Sequence, residues 1–65
     1  MERRLFKRGR RIVCYMNVYD NKVAVHLGKP SDNTGFVWMY DKSEMDAAMR
    51  TIDDIMNFRL TVKLW

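Results

Sequence analysis

The chain has one cysteine, one proline, one histidine and three glycines, and each scarcity closes off a class of protein. A lone thiol, Cys14, forms no internal disulfide, so nothing marks a cross-linked secreted scaffold and a reducing compartment is expected. No apolar run approaches the roughly 20 residues that span a bilayer as a helix. The basic opening is followed by "IVCYMNVYDN", whose polar residues interrupt any leader-like apolar stretch. These features predict a soluble, intracellular protein of the cytoplasm (a host cytoplasm or nucleoid included) with no membrane partner. The proline and two of the glycines fall in "GKPSDNTG", residues 28–35, which reads as a loop.

At 65 residues the chain is a single domain, 1–65. A domain of this size buries only roughly 60% of its unfolded surface. Small folds without staples lean on a partner or a second copy, so a homodimer is expected.

Charge is concentrated at one end. Residues 1–11 carry six basic groups against Glu2, a net +5, while residues 12–65 carry six basic and seven acidic groups, a net −1; together they make the overall +4. A block of this kind points to a polyanionic partner, with a solubilising tail as the plainer alternative. Residues 1–10 are read as a basic arm.

Alternation then sorts the side chains. Asp20-Asn21 separates two β-rich runs, and both residue types tolerate the positive φ of a two-residue hairpin turn. That turn pairs Val18 with Val23, Met16 with Val25, Tyr15 with His26 and Cys14 with Leu27. One face becomes wholly apolar: Ile12, Cys14, Met16, Val18, Val23, Val25 and Leu27. The other mixes Arg11, Val13, Tyr15, Asn17, Tyr19, Lys22, Ala24 and His26. After the loop, "FVWMY" at 36–40 forms a third strand, with Phe36, Trp38 and Tyr40 on one face and Val37 and Met39 on the other; either face can join the core.

A helix is predicted over 41–58. Asp41 is a good N-cap, and Glu44 three residues on completes a capping-box spacing. Met45, Ala48, Met49, Ile52, Ile55 and Met56 form one apolar stripe, suited to packing on the sheet or to a helix–helix dimer contact. "FRLTVKLW" alternates again, and residues 59–65 are read as a C-terminal strand. The expected fold is α+β: an antiparallel sheet of three to four strands packed on one helix, in the order β-β-β-α-β.

Chemistry is sparse. His26 lies on the opposite hairpin face from Cys14, which argues against a Cys–His nucleophile and against a shared metal site. There is no P-loop, no GxGxxG and no Cys/His cluster. The reading is therefore of a binding protein and not an enzyme, with no cofactor and no metal.

A basic segment beside aromatic side chains on a sheet is what single-stranded nucleic acid calls for. Cations track the phosphates and release counterions, and aromatic rings stack on bases. The candidate binding residues are Arg3, Arg4, Lys7, Arg8, Arg10, Arg11, Tyr15, Tyr19, Lys22, Lys29 and Trp38. The same aromatics are equally suited to a core or a dimer interface.

The order of these features resembles the Positive Cofactor Four family of small single-stranded-DNA-binding transcriptional coactivators. The "F-x-x-G-K" stretch of that family is similar to Phe6-Lys7-Arg8-Gly9-Arg10, and its "GKVLVDIR" to Asn21–Leu27, "NKVAVHL". The strand that runs without a gap into a helix ending near "I-x-x-I" is similar to residues 37–55. The resemblance covers about residues 6–56. It implies a dimer, a single strand held on the sheet surface, and a role in transcription regulation. It also implies that the basic segment is the first strand and its approach. The alternative function is a small protein-binding inhibitor or regulator of a host protein, of the kind phages make.

Overall fold

In the computed structural model, which describes residues 1–32 and 34–58, four antiparallel strands in the order β1-β2-β3-β4 carry one helix on one face. The expected α+β architecture, a sheet on one helix, is present, but its strands are distributed differently. The basic arm expected over residues 1–10 is strand β1, Glu2–Arg8, turned through Gly9-Arg10 into β2, Arg11–Val18. Gly9 has φ +63° and occupies the first central position of a two-residue hairpin, where a type II′ turn calls for glycine. Phe6 lies opposite Cys14 and packs against the core, which ties the charged segment to the sheet. The remaining β1 side chains are almost all charged and exposed. An edge strand tolerates this, and charge there discourages pairing with a further strand. The C-terminal strand expected over residues 59–65 lies outside the described residues.

The β2–β3 pairing follows the expected register: Cys14 with Leu27, Tyr15 with His26, Met16 with Val25, Asn17 with Ala24 and Val18 with Val23, β3 being Lys22–Leu27. The turn is in the expected place, but neither Asp20 nor Asn21 has a positive φ. The Tyr19 N–H donates to the Lys22 carbonyl at 2.9 Å, and the Asn21 carbonyl accepts from the Lys42 N–H at 3.2 Å. Between β1 and β2 the register shifts: Phe6 pairs with Cys14 but Lys7 with Ile12, leaving Val13 as the extra residue of a β-bulge. The bulge breaks the strict alternation at this end. Val13, expected on the open face, packs against the core, and its carbonyl accepts from the Gly28 N–H at 2.8 Å.

Strand β4, Val37–Asp41, turns its Trp38 and Tyr40 towards the helix, opposite Val25 and Val23, and leaves Val37 and Met39 exposed. It runs directly into a short 3₁₀ turn, Lys42–Glu44, and then α1, Met45–Met56. The capping box forms as the spacing predicts, with the Asp41 N–H donating to Glu44 Oε1 at 3.2 Å. Ala48, Ile52 and Ile55 close over Cys14, Met16, Val18, Val23 and Val25, with Met45 and Met56 at the margin. Met49, counted in the apolar stripe, stays partly exposed, at 38%. Truncating Ile52 to Ala in so small a core would cost about 2–5 kcal/mol.

Candidate nucleic-acid interface

The helix covers one face of the sheet and leaves the other open. Cross-strand pairing fixes the rows of that open face: Leu5, Tyr15, His26 and Val37 form one, and Arg3, Asn17, Ala24 and Met39 the next. The centre of this face is nonetheless dry. Tyr15 is only 8% exposed, and Asn17 and Ala24 are buried as well. The Tyr15 ring stacks on His26 at 4.5 Å with an interplanar angle of 2°, and the Arg3 guanidinium lies 5.3 Å from its centroid. Arg3 Nε also donates to Asn17 Oδ1 at 2.9 Å. A base has no free Tyr15 face to stack on.

His26 titrates below the ordinary imidazole value, first because it is partly desolvated and second because Arg3 is near. Cys14, on the helix side, has its thiol pushed up to about 11 by burial, so it is no thiolate at neutral pH. Among the described residues no three or more His, Cys, Asp or Glu side chains gather as a metal site would require.

The eleven residues singled out from the sequence therefore separate. Tyr15 lies in the packed centre of the open face, and the exposed Arg3 reaches over it from the edge strand β1. Trp38 lies on the helix-covered face, because its partner Val25 belongs to the core, so it is not on the surface with Tyr15. Arg4 is committed to Glu2, Nε to Oε2 at 2.6 Å, and the guanidinium lowers the Glu2 carboxyl below its usual range. Tyr19 and Lys22 flank the Asp20-Asn21 turn, with the Lys22 ammonium 5.4 Å from the Tyr19 ring. The β1–β2 turn lies at the opposite end of these antiparallel strands.

At that opposite end the remaining cations gather. The β1–β2 turn brings Arg10 and Arg11, and the β3–β4 loop brings Lys29. Together with Ile12 and Asp32 they line a concavity of about 390 Å³. Asp32 is largely occupied in shaping the loop: its Oδ2 accepts from the Lys29 N–H at 3.2 Å, and its own N–H donates to the Lys29 carbonyl at 2.8 Å. A second cavity, of about 420 Å³, is shared by Arg8, Arg11, Phe58 and an apolar floor that includes Ile12, Val13 and Leu27. Arg8 reaches it across the sheet end, donating from Nη2 to the Met56 carbonyl at the helix C-terminus. Its guanidinium also lies 4.1 Å from the centroid of the Phe58 ring. Lys7, paired with Ile12, belongs to the same end of β1.

Phe58, which lines the second cavity, was not among the residues singled out from the sequence. It stands just past α1 with φ +57°, where glycine or asparagine is usual, and is 74% exposed. The helix was expected to run through residue 58, whereas α1 ends at Met56, so nothing in the pattern marked Phe58. No family model, curated protein or solved structure matches this chain.

Proposed function

We propose that the protein binds single-stranded nucleic acid, DNA or RNA, by gripping phosphates at the loop end of the sheet. The observation that carries this reading is the convergence of Arg10, Arg11 and Lys29 from two separate connections on one concavity, with Arg8 in the cavity beside it. Cations in a groove bind a phosphate backbone through counterion release and need no particular sequence. A helix reading the major groove of a duplex is a poor alternative. The only helix among the described residues carries Asp46, Asp53 and Asp54 against Arg50, and its apolar side is spent on the sheet. In this reading the protein is a binding module of the cytoplasm and not an enzyme. The β4-to-helix run at Asp41-Lys42 is compatible with the Positive Cofactor Four resemblance.

The test is a titration of labelled single-stranded DNA, RNA and duplex DNA across a salt series. Replacing Arg10, Arg11 and Lys29 together by Ala should weaken binding about equally for all sequences. It should also flatten the slope of log K against log salt by about two units, at roughly 0.7 per lost contact on single strands. An unchanged slope would remove the reading.

A second reading has its own observation. Val37 and Met39 stay exposed together on the β4 edge of the open sheet face, with Leu5 exposed at the β1 edge, apolar side chains suited to a host protein or a second copy of the chain. The homodimer would use these side chains and not the helix stripe, most of which is already buried on the sheet. Sedimentation equilibrium should then show about twice the monomer mass, reduced by Met39→Lys; a single-chain mass at all concentrations would exclude the dimer.

A further inference from the structure

We propose that Phe58 is the base-stacking residue of this protein, receiving a nucleobase of a single strand on its exposed ring while Arg11 meets a phosphate of the same strand. The proposal rests on the nucleic-acid reading above and adds the group that contacts bases. Three observations meet at this residue. Its ring is among the exposed large apolar groups, at 74% exposure. The Arg8 guanidinium, itself anchored on the Met56 carbonyl, lies 4.1 Å from the ring centroid. The Phe58 backbone sits at φ +57°, the only positive φ at a non-glycine position among the described residues. A bulky side chain in that conformation is strained, and helix ends are made more readily with glycine. Strain held by surrounding bonds, here the Phe58 N–H to the Ile55 carbonyl at 3.2 Å and the Asn57 N–H to the Asp53 carbonyl at 3.0 Å, is a mark of functional positions.

The cavity under the ring fits the ligand. Ile12, Val13 and Leu27 line it with apolar surface, Arg8 and Arg11 line it with two cations, and Asp32, whose Oδ2 accepts from the Lys29 N–H, is its one carboxylate. At about 420 Å³ it lies in the size range of small-ligand sites. A base and its phosphate combine the same two characters, an aromatic plane and an anion. Tyr15, enclosed by His26 and Arg3, offers no such surface.

Phe58→Gly is the discriminating variant, because glycine accepts the left-handed backbone and the fold should melt no earlier than the wild type. Two labelled probes of equal length are titrated: an oligothymidylate and an abasic strand with the same phosphates. The wild type should bind the oligothymidylate about tenfold or more tighter than the abasic strand. Phe58→Gly should bring the two affinities together, leave abasic binding and its salt slope unchanged, and be rescued by Phe58→Trp. Equal wild-type affinity for both probes, or an unchanged oligothymidylate affinity in Phe58→Gly, would overturn the stacking role and leave the phosphate grip standing. Binding of neither probe by the wild type would overturn both.

Discussion

The open sheet face and the loop end each combine cations with an aromatic ring, and they use the combination in opposite ways. On the sheet face, Arg3 and His26 enclose Tyr15 and leave it 8% exposed. At the loop end, the Arg8 guanidinium lies 4.1 Å from the Phe58 ring, which is 74% exposed. The difference follows from what surrounds each ring. Tyr15 sits on a central strand, with Leu5 and His26 directly beside it across the ladder. Phe58 follows the C-terminal end of the helix and borders the cavity lined by Ile12, Val13 and Leu27. A cation beside a ring is thus a packing element in the middle of a sheet and a presented surface at its end.

The largest expected effect separates the two rings by stability. Tyr15→Ala removes a buried aromatic together with its stack on His26 and its contact with Arg3. It should cost about 3 kcal/mol, a large part of the stability of a domain this small. Phe58→Ala removes an exposed ring and should change stability by no more than about 0.5 kcal/mol. Urea unfolding of the two variants, read at the midpoint with an unchanged slope, measures both. Equal shifts would abolish the distinction between the packed ring and the presented one.

How much of this was legible in the sequence depends on whether neighbours in sequence or neighbours in space decide the outcome. The β2–β3 register, the Asp41–Glu44 cap and the Ala48, Ile52 and Ile55 stripe are local patterns, and the structure repeats them. The first strand was hidden because charge dominates "ERRLFKR", although Gly9 ahead of Arg10 is a hairpin signal once a strand is considered on each side of it. Alternation placed Tyr15 on the open face correctly but could not say that Arg3, fourteen residues before Asn17 in sequence, would pair with it across the ladder, bond its side chain and shield the ring. For Trp38 the pattern left both faces open, and the partnership with Val25 decided it. The cation cluster was legible only in part. Arg10 and Arg11 stand together in sequence, whereas Lys29 joins them through the loop that follows β3.

The smallest effect sharpens the comparison through pH. His26 is the ring that closes Tyr15 from one side, and both its partial desolvation and the nearby Arg3 lower its folded-state pKa. Protonated imidazole is therefore favoured less in the fold than in the unfolded chain, whose value is near the ordinary 6.5. Stability from this group is fully present above about pH 6.5, falls as pH drops from there through the lowered folded value, and levels off below it. The imidazole is followed from pH 7.5 to about 5, a range that spans the ordinary histidine value near 6.5. Urea midpoints across that window should decline in the wild type and decline less in His26→Gln, which keeps a polar planar group against Tyr15 and carries no proton to gain. Phe58→Gly leaves the His26–Tyr15 stack intact and should follow the wild-type curve. A wild-type midpoint that is flat over this range, or a His26→Gln curve parallel to it, would show that the stack on Tyr15 is indifferent to the charge of the imidazole.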